Sequence, residues 1–232
     1  MNKLKAYHND KSIKDKYVKR VTWHFEQDNI IRDIGWNGDK GCAIGCTLEK
    51  YDHSQYPIEL GIPEWLARVE DTLFEGMSKD KSRTWPIDFL EAVNIGSDLE
   101  AIKAPFLLFV LKDTLETFDS VEYPDVKKAV EVTIALWERD DIGSADWQEA
   151  AKAAEAAAKT AAGAAADAAE GAAAWSAAWS AAWAAWAAAD AAEGAAADAA
   201  EGAVAWSAAW VAGSAAYDRY ADEVLSLIKE CR

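Results

Sequence analysis

The residues best able to do chemistry lie close together: Cys42, Cys46 and His53, with Asp52 beside the histidine and His24 upstream. A zinc site needs four such ligands, and C-x3-C followed seven residues later by a histidine supplies only three, in none of the standard spacings. The expectation is no metal and no cofactor. A nucleophilic cysteine needs a nearby base and an electropositive or helix-N-terminal setting. Lys40 and the glycines flanking the cysteines suit that chemistry, but no recognised nucleophile motif surrounds them. A hydrolase or transferase centred on Cys42, Cys46 and His53 therefore stays open beside the plainer reading, in which both cysteines are small buried residues.

Around the same loop stand Trp36, Tyr51, Tyr56, Trp65 and Trp85. Together they could line a pocket for a flat small-molecule ligand such as a base, or form the core of a small domain. The segment "GWNGDKGCAIGC" carries Gly35, Gly38, Gly41 and Gly45, so its backbone can take positive φ or pass close to another group. It is no phosphate loop, since the Gly-Lys-Ser/Thr ending is missing. The acids of "RVEDTLFEG" and "WERDD" read as solvated helix faces and ends.

The elements that position these residues read as helices. Asn9 or Asp10 caps a helix from about Lys11 to Asp33, with Ile13, Tyr17, Val21 and His24/Phe25 at helical spacing. Pro63 starts a helix whose buried face holds Ile62, Leu66, Val69, Leu73 and Phe74. Trp85 and Pro86 open a short helix. Ser97 and Glu100 form a capping-box pattern at the head of another, which Pro105 kinks or delays, and Pro124 begins the next. "CAIGCTLE" could be a short strand, though nothing pairs with it.

From Ser144 onward the chain is dominated by alanine, the best helix former. Trp175, Trp179, Trp183 and Trp186 fall within about 80° of one another on a helix, so they share one stripe. The 16 residues from 164 recur from 195, an offset of 31, with Val204 replacing Ala173. That shift turns a continuous helix by about 220°, placing Trp206 and Trp210 on the opposite side. One straight helix cannot serve both sets, so a break at Gly194 or Gly202 and an antiparallel hairpin are expected. Acids flank the apolar run, and no Lys or Arg between Lys159 and Arg219 anchors it, which opposes a membrane span. The fold class expected is all-α: a compact multi-helix head, residues 1–143, followed by a long Ala/Trp-rich helical hairpin tail, residues 144–232.

The head block "GCAIGCTLEKYDHSQYPIELGIPEWLARVEDTLFEGM", residues 41–77, resembles a family of uncharacterised bacterial and phage proteins that often carry alanine-rich C-terminal extensions. The resemblance covers most of residues 8–140, with the tail alike in composition only. It implies a shared fold and a bacterial or phage origin, and assigns no role to any residue.

The formal charge of −16 argues against nucleic-acid binding and anionic membrane surfaces, both of which require concentrated Lys and Arg. Three cysteines make no disulfide framework and the N-terminus has no apolar signal segment, so a cytoplasmic setting is expected. The leading functional expectation is a non-enzymatic interaction or regulatory protein. Its head would be the recognition surface, and its tail a brace or self-association arm whose interaction residues are the six tail tryptophans named above. The alternatives are a phage-encoded inhibitor of host defence that binds a protein or small nucleotide, and the Cys/His enzyme.

Overall fold

The computed structural model describes residues 3–116, 121–139, 141–165, 169–189, 199–204 and 214–232. The fold is all-α, and among the described residues the only β pairings are two isolated bridges, Ile30 with Gly41 and Trp36 with Gly41. The helices are α1 (Lys11–Glu26), α2 (Ala43–Leu48), α3 (Gln55–Glu59), α4 (Glu64–Gly76), α5 (Lys79–Ala92), α6 (Lys103–Leu115), α7 (Pro124–Trp137), α8 (Ser144–Ala165), α9 (Ala169–Ala189) and a C-terminal helix, Ser214–Glu230. Residues 199–204 are also helical.

The chain divides into two compact units, Met1–Lys103 with Tyr217–Arg232, and Ala104–Ala216. This differs from the expected boundary at 143/144 at both ends. Helix α7 packs on α8 and α9, and Leu136, Trp137 and Ile142 lie against a cluster of Trp147, Ala150, Ala151 and Ala185. The last sixteen residues, meanwhile, complete the first unit. Tyr220, Val224 and Ile228, one face of the C-terminal helix, are fully buried. Asp218 accepts from the Ser78 amide at 2.9 Å, and Asn94 Nδ2 donates to the Cys231 carbonyl at 2.9 Å.

In the first unit, Asp10 caps α1 by accepting from the Ser12 amide at 2.7 Å. The helix ends at Glu26, short of the expected Asp33, because Asp28 turns left-handed at φ 53°. The segment "CAIGCTLE" is helical, correcting the strand reading: α2 runs through it and ends on Glu49 at φ 57°. Helix α5 begins at Lys79, before the expected Trp85, and carries Pro86 inside. Ser97 does not cap the next turn as expected, its Oγ donating instead to the Asn94 carbonyl at 2.9 Å.

In the second unit α8 and α9 pack antiparallel, with the start of α8 (Trp147, Ala150) meeting the end of α9 (Ala185, Trp186). Buried Ala150, Ala154, Ala157, Ala158 and Ala161 face a helix on which Ala174, Ala177, Ala178, Ala181, Ala182 and Ala185 are also buried. The tryptophans take the less enclosed side of α9: Trp179, Trp183 and Trp186 are half-buried, and Trp186 Nε1 donates to Glu155 at 2.9 Å. Alanine thus forms the closest-packed seam, its small side chain allowing close backbone approach. Gly202 is no break: it lies in a helical stretch, and a Cβ there would meet the Trp183 ring at 2.8 Å. Gly194, Trp206, Trp210 and the Trp175 side chain lie outside the described residues.

Candidate functional site

The first unit's loop between α1 and α2 folds over two glycines. Its bridges hold Ile31 N to the Gly41 carbonyl at 2.9 Å and Gly41 N to the Asn29 carbonyl at 3.1 Å. The Gly35 carbonyl is thereby laid across Gly41 and Gly45, where any Cβ would overlap its oxygen. The Tyr51 ring covers Gly35 from the other side, and the Cys42 amide donates to the Ile34 carbonyl at 2.8 Å. The glycines serve close approach here, with positive φ only at Gly38.

This crossing sets Cys42 against α4. Asp71 and Glu75, four residues apart on one face of α4, bring carboxylate oxygens to within 4.8 Å of each other and of Cys42 Sγ. His53 Nε2 lies 3.0 Å from Asp71 Oδ2, and the Tyr51 hydroxyl donates to the same oxygen at 2.9 Å. Asp71 Oδ1 is buried with no hydrogen bond of ordinary geometry. Glu75 Oε2 accepts from the Asp33 amide at 3.0 Å.

The neighbouring Glu70, about 100° round the helix, lies in the core. It is fully buried, and neither of its oxygens makes a hydrogen bond of ordinary geometry, the Tyr56 hydroxyl being the polar group nearest in influence. Burial drives its carboxyl well above the ordinary range, the Tyr56 hydroxyl opposes this, and the charge of Asp71 adds to it. Glu70 and Asp71 therefore correct the reading of "RVEDTLFEG" as a solvated face. The missed signal was helical phase, because Glu70 falls about 40° from Leu66, inside the apolar stripe.

Of the sequence candidates, Cys42 and His53 meet at Asp71, which they share, while Cys46 does not join them. Cys46 Sγ instead donates to the Gly41 carbonyl at 3.3 Å, and burial pushes its thiol up to about 12. Burial, with the Asp71 charge next, holds the Cys42 thiol well above its usual range. Neither thiol is set up as a thiolate at neutral pH, and the hydrogen bonds of His53 end on Asp71, none on Cys42. Cys46→Ala should cost about 1 kcal/mol, read from thermal melting, with unchanged helix content by circular dichroism.

The five candidate pocket aromatics do not come together around one cavity. Tyr56, Trp65 and Trp85 are core residues, Trp85 Nε1 donating to the Glu70 carbonyl at 3.1 Å. Trp36 and Tyr51 reach the surface instead. There the ring of buried His24 touches Trp23 (centroids 4.8 Å) and Trp36 (5.4 Å), and Ile34 and Trp36 flank the Gly35 that Tyr51 covers. Trp23 is 50% exposed, Tyr51 54% and Ile34 40%. Burial holds the His24 imidazole below its usual pKa, keeping it a neutral platform between the two indoles.

No family model, curated protein or solved structure matches the sequence. Among the described residues no helix is long and apolar enough to cross a membrane.

Proposed function

We propose that the protein is a non-enzymatic interaction protein of bacterial or phage origin, working in the cytoplasm, whose first unit binds a protein partner through the surface formed by Trp23, Ile34, Trp36 and Tyr51. The observation that carries this reading is the division between what is sealed and what is offered. Cys42 and Cys46 are at most 1% exposed and hold their protons, whereas the aromatic surface stands in solvent. Large aromatics in an exposed cluster are the usual anchors of protein interfaces. The second unit adds an acidic arm, with 18 acidic against 6 basic residues, so the partner favoured is a basic protein drawn in by charge.

A photo-crosslinking residue at Trp23 or Ile34 of the full chain, in the cells that make it, is expected to trap a basic protein that the same probe at exposed Lys11 does not. With that protein purified, Trp23→Ala should weaken binding about 30-fold while changing stability by no more than about 0.5 kcal/mol in urea unfolding. Trapping only further copies of the chain would replace the partner with self-association. Turnover of a substrate that survives Trp23→Ala and is lost in folded Cys42→Ser would overturn the reading in favour of the enzyme.

A further inference from the structure

We propose that Cys42, Asp71 and Glu75 form the ligand set of a site for one divalent transition-metal ion, zinc by the character of its donors, with His53 and Tyr51 as positioning residues for Asp71. The spacing of Cys42, Cys46 and His53 matches no standard zinc pattern, and Cys46 turns to the Gly41 carbonyl, away from the other two. Helix α4 supplies what that spacing lacks, and Cys46 is not needed.

The geometry is that of a ligand cluster before closure. Three ligand atoms lie within 4.8 Å of one another, while ligands sharing a tetrahedral zinc at its ordinary bond lengths are roughly 3.5 Å apart. Rotations that draw them in by about 1 Å seat three protein ligands on the ion at those bond lengths and leave its fourth position to water, as in open zinc sites. A sulfur donor with two carboxylates suits a borderline-soft ion, and excludes calcium and magnesium, which take oxygen alone.

A second observation points into the same space. Asp71 is 7% exposed, and its Oδ1 is enclosed with no hydrogen bond of ordinary geometry; the Cys42 thiol stands within the carboxylate's influence, and its proton is the one an ion would displace. No Lys or Arg forms an ion pair with Asp71 or Glu75 among the described residues; the guanidinium nearest in influence to Glu75, that of Arg32, donates to the Met77 carbonyl. Outer contacts already orient both carboxylates: Tyr51 and His53 on Asp71 Oδ2, and the Asp33 amide on Glu75 Oε2. On binding, the Cys42 S–H bond breaks, an Sγ–metal bond forms and the proton passes to the buffer, so uptake of the ion releases protons.

The test uses the full chain, stripped with a chelator and titrated with zinc chloride or cobalt chloride. One ion per chain should remain after desalting. The cobalt form should show thiolate-to-metal charge-transfer absorption, and the heat of zinc binding should vary with buffer as a released proton demands. Cys42→Ser should abolish the absorption and weaken zinc at least about tenfold, and Cys46→Ser should change neither. Tyr51→Phe should keep the absorption and weaken zinc about tenfold, the signature of a positioning residue. If Cys42→Ser fails to fold by circular dichroism, Glu75→Gln, at a half-buried position, decides by the same loss of affinity. The proposal is overturned if the folded wild type retains no ion, if absorption survives Cys42→Ser, or if it depends on Cys46.

Discussion

Replacing Glu70 by glutamine should raise the stability of the protein at pH 8 by about 2 kcal/mol and flatten its dependence on pH. The carboxylate is fully enclosed with neither oxygen in a hydrogen bond of ordinary geometry, so the folded state holds the proton far more tightly than the unfolded chain does. A folded pKa above the unfolded value means that this group's contribution is complete below about pH 4.3 and is lost as pH rises toward and through the folded pKa. Wild type and Glu70→Gln should therefore be similar near pH 4 and separate steadily above it, the variant gaining. The Tyr56 hydroxyl, the polar group beside the carboxyl, is placed to meet the amide. Urea unfolding of both proteins at pH 5 and pH 8 measures the divergence. A wild type more stable than the variant at pH 8 would show the charged carboxylate to be compensated.

Gly45→Ala should have the opposite sign and a larger size, about 3 kcal/mol or more of lost stability. Its Cβ would overlap the Gly35 carbonyl oxygen, so backbone meets backbone and no side chain can swing aside. The crossing segment is fastened by the Cys42 amide on Ile34 and by the bridges at Gly41, which prevents it from lifting away cheaply. Gly38→Ala is the internal control. Gly38 has φ 100° but open space around it, so the expected loss there is about 1 kcal/mol. For a chain of this size the Gly45 change corresponds to a fall in melting temperature of about 10 °C, several times that of Gly38→Ala.

Much of the helical plan was legible because local chemistry wrote it. Asp10 at a helix start, Pro124 at a first turn and alanine along α8 and α9 each act within a few residues. The loop's purpose was legible in outline from its four glycines, but which backbone passes over which is a long-range fact. The site itself was half legible. Cys42 and His53 stand out by type, whereas Asp71 resembles any surface acid until its phase on α4 is compared with Leu66 and Leu73. The strand reading of "CAIGCTLE" failed because six apolar-rich residues suit either a strand or a buried helix, and only tertiary packing on Gly45 selects one. The unit boundary was hidden for the same reason. Composition changes at Ser144, but α7, of ordinary composition, has its packing partners on the far side of that change.

The return of Tyr217–Arg232 to the first unit has a consequence for how the chain is made. On a ribosome, every residue of the second unit emerges before the piece that finishes the first. At roughly 5–20 residues per second, the 113 residues from Ala104 to Ala216 take about 6–23 s to synthesise. Throughout that interval the surfaces destined for Tyr220, Val224 and Ile228 face the cell uncovered. The second unit has time to fold first, and the nascent first unit is then a natural client for chaperones until its last helix arrives.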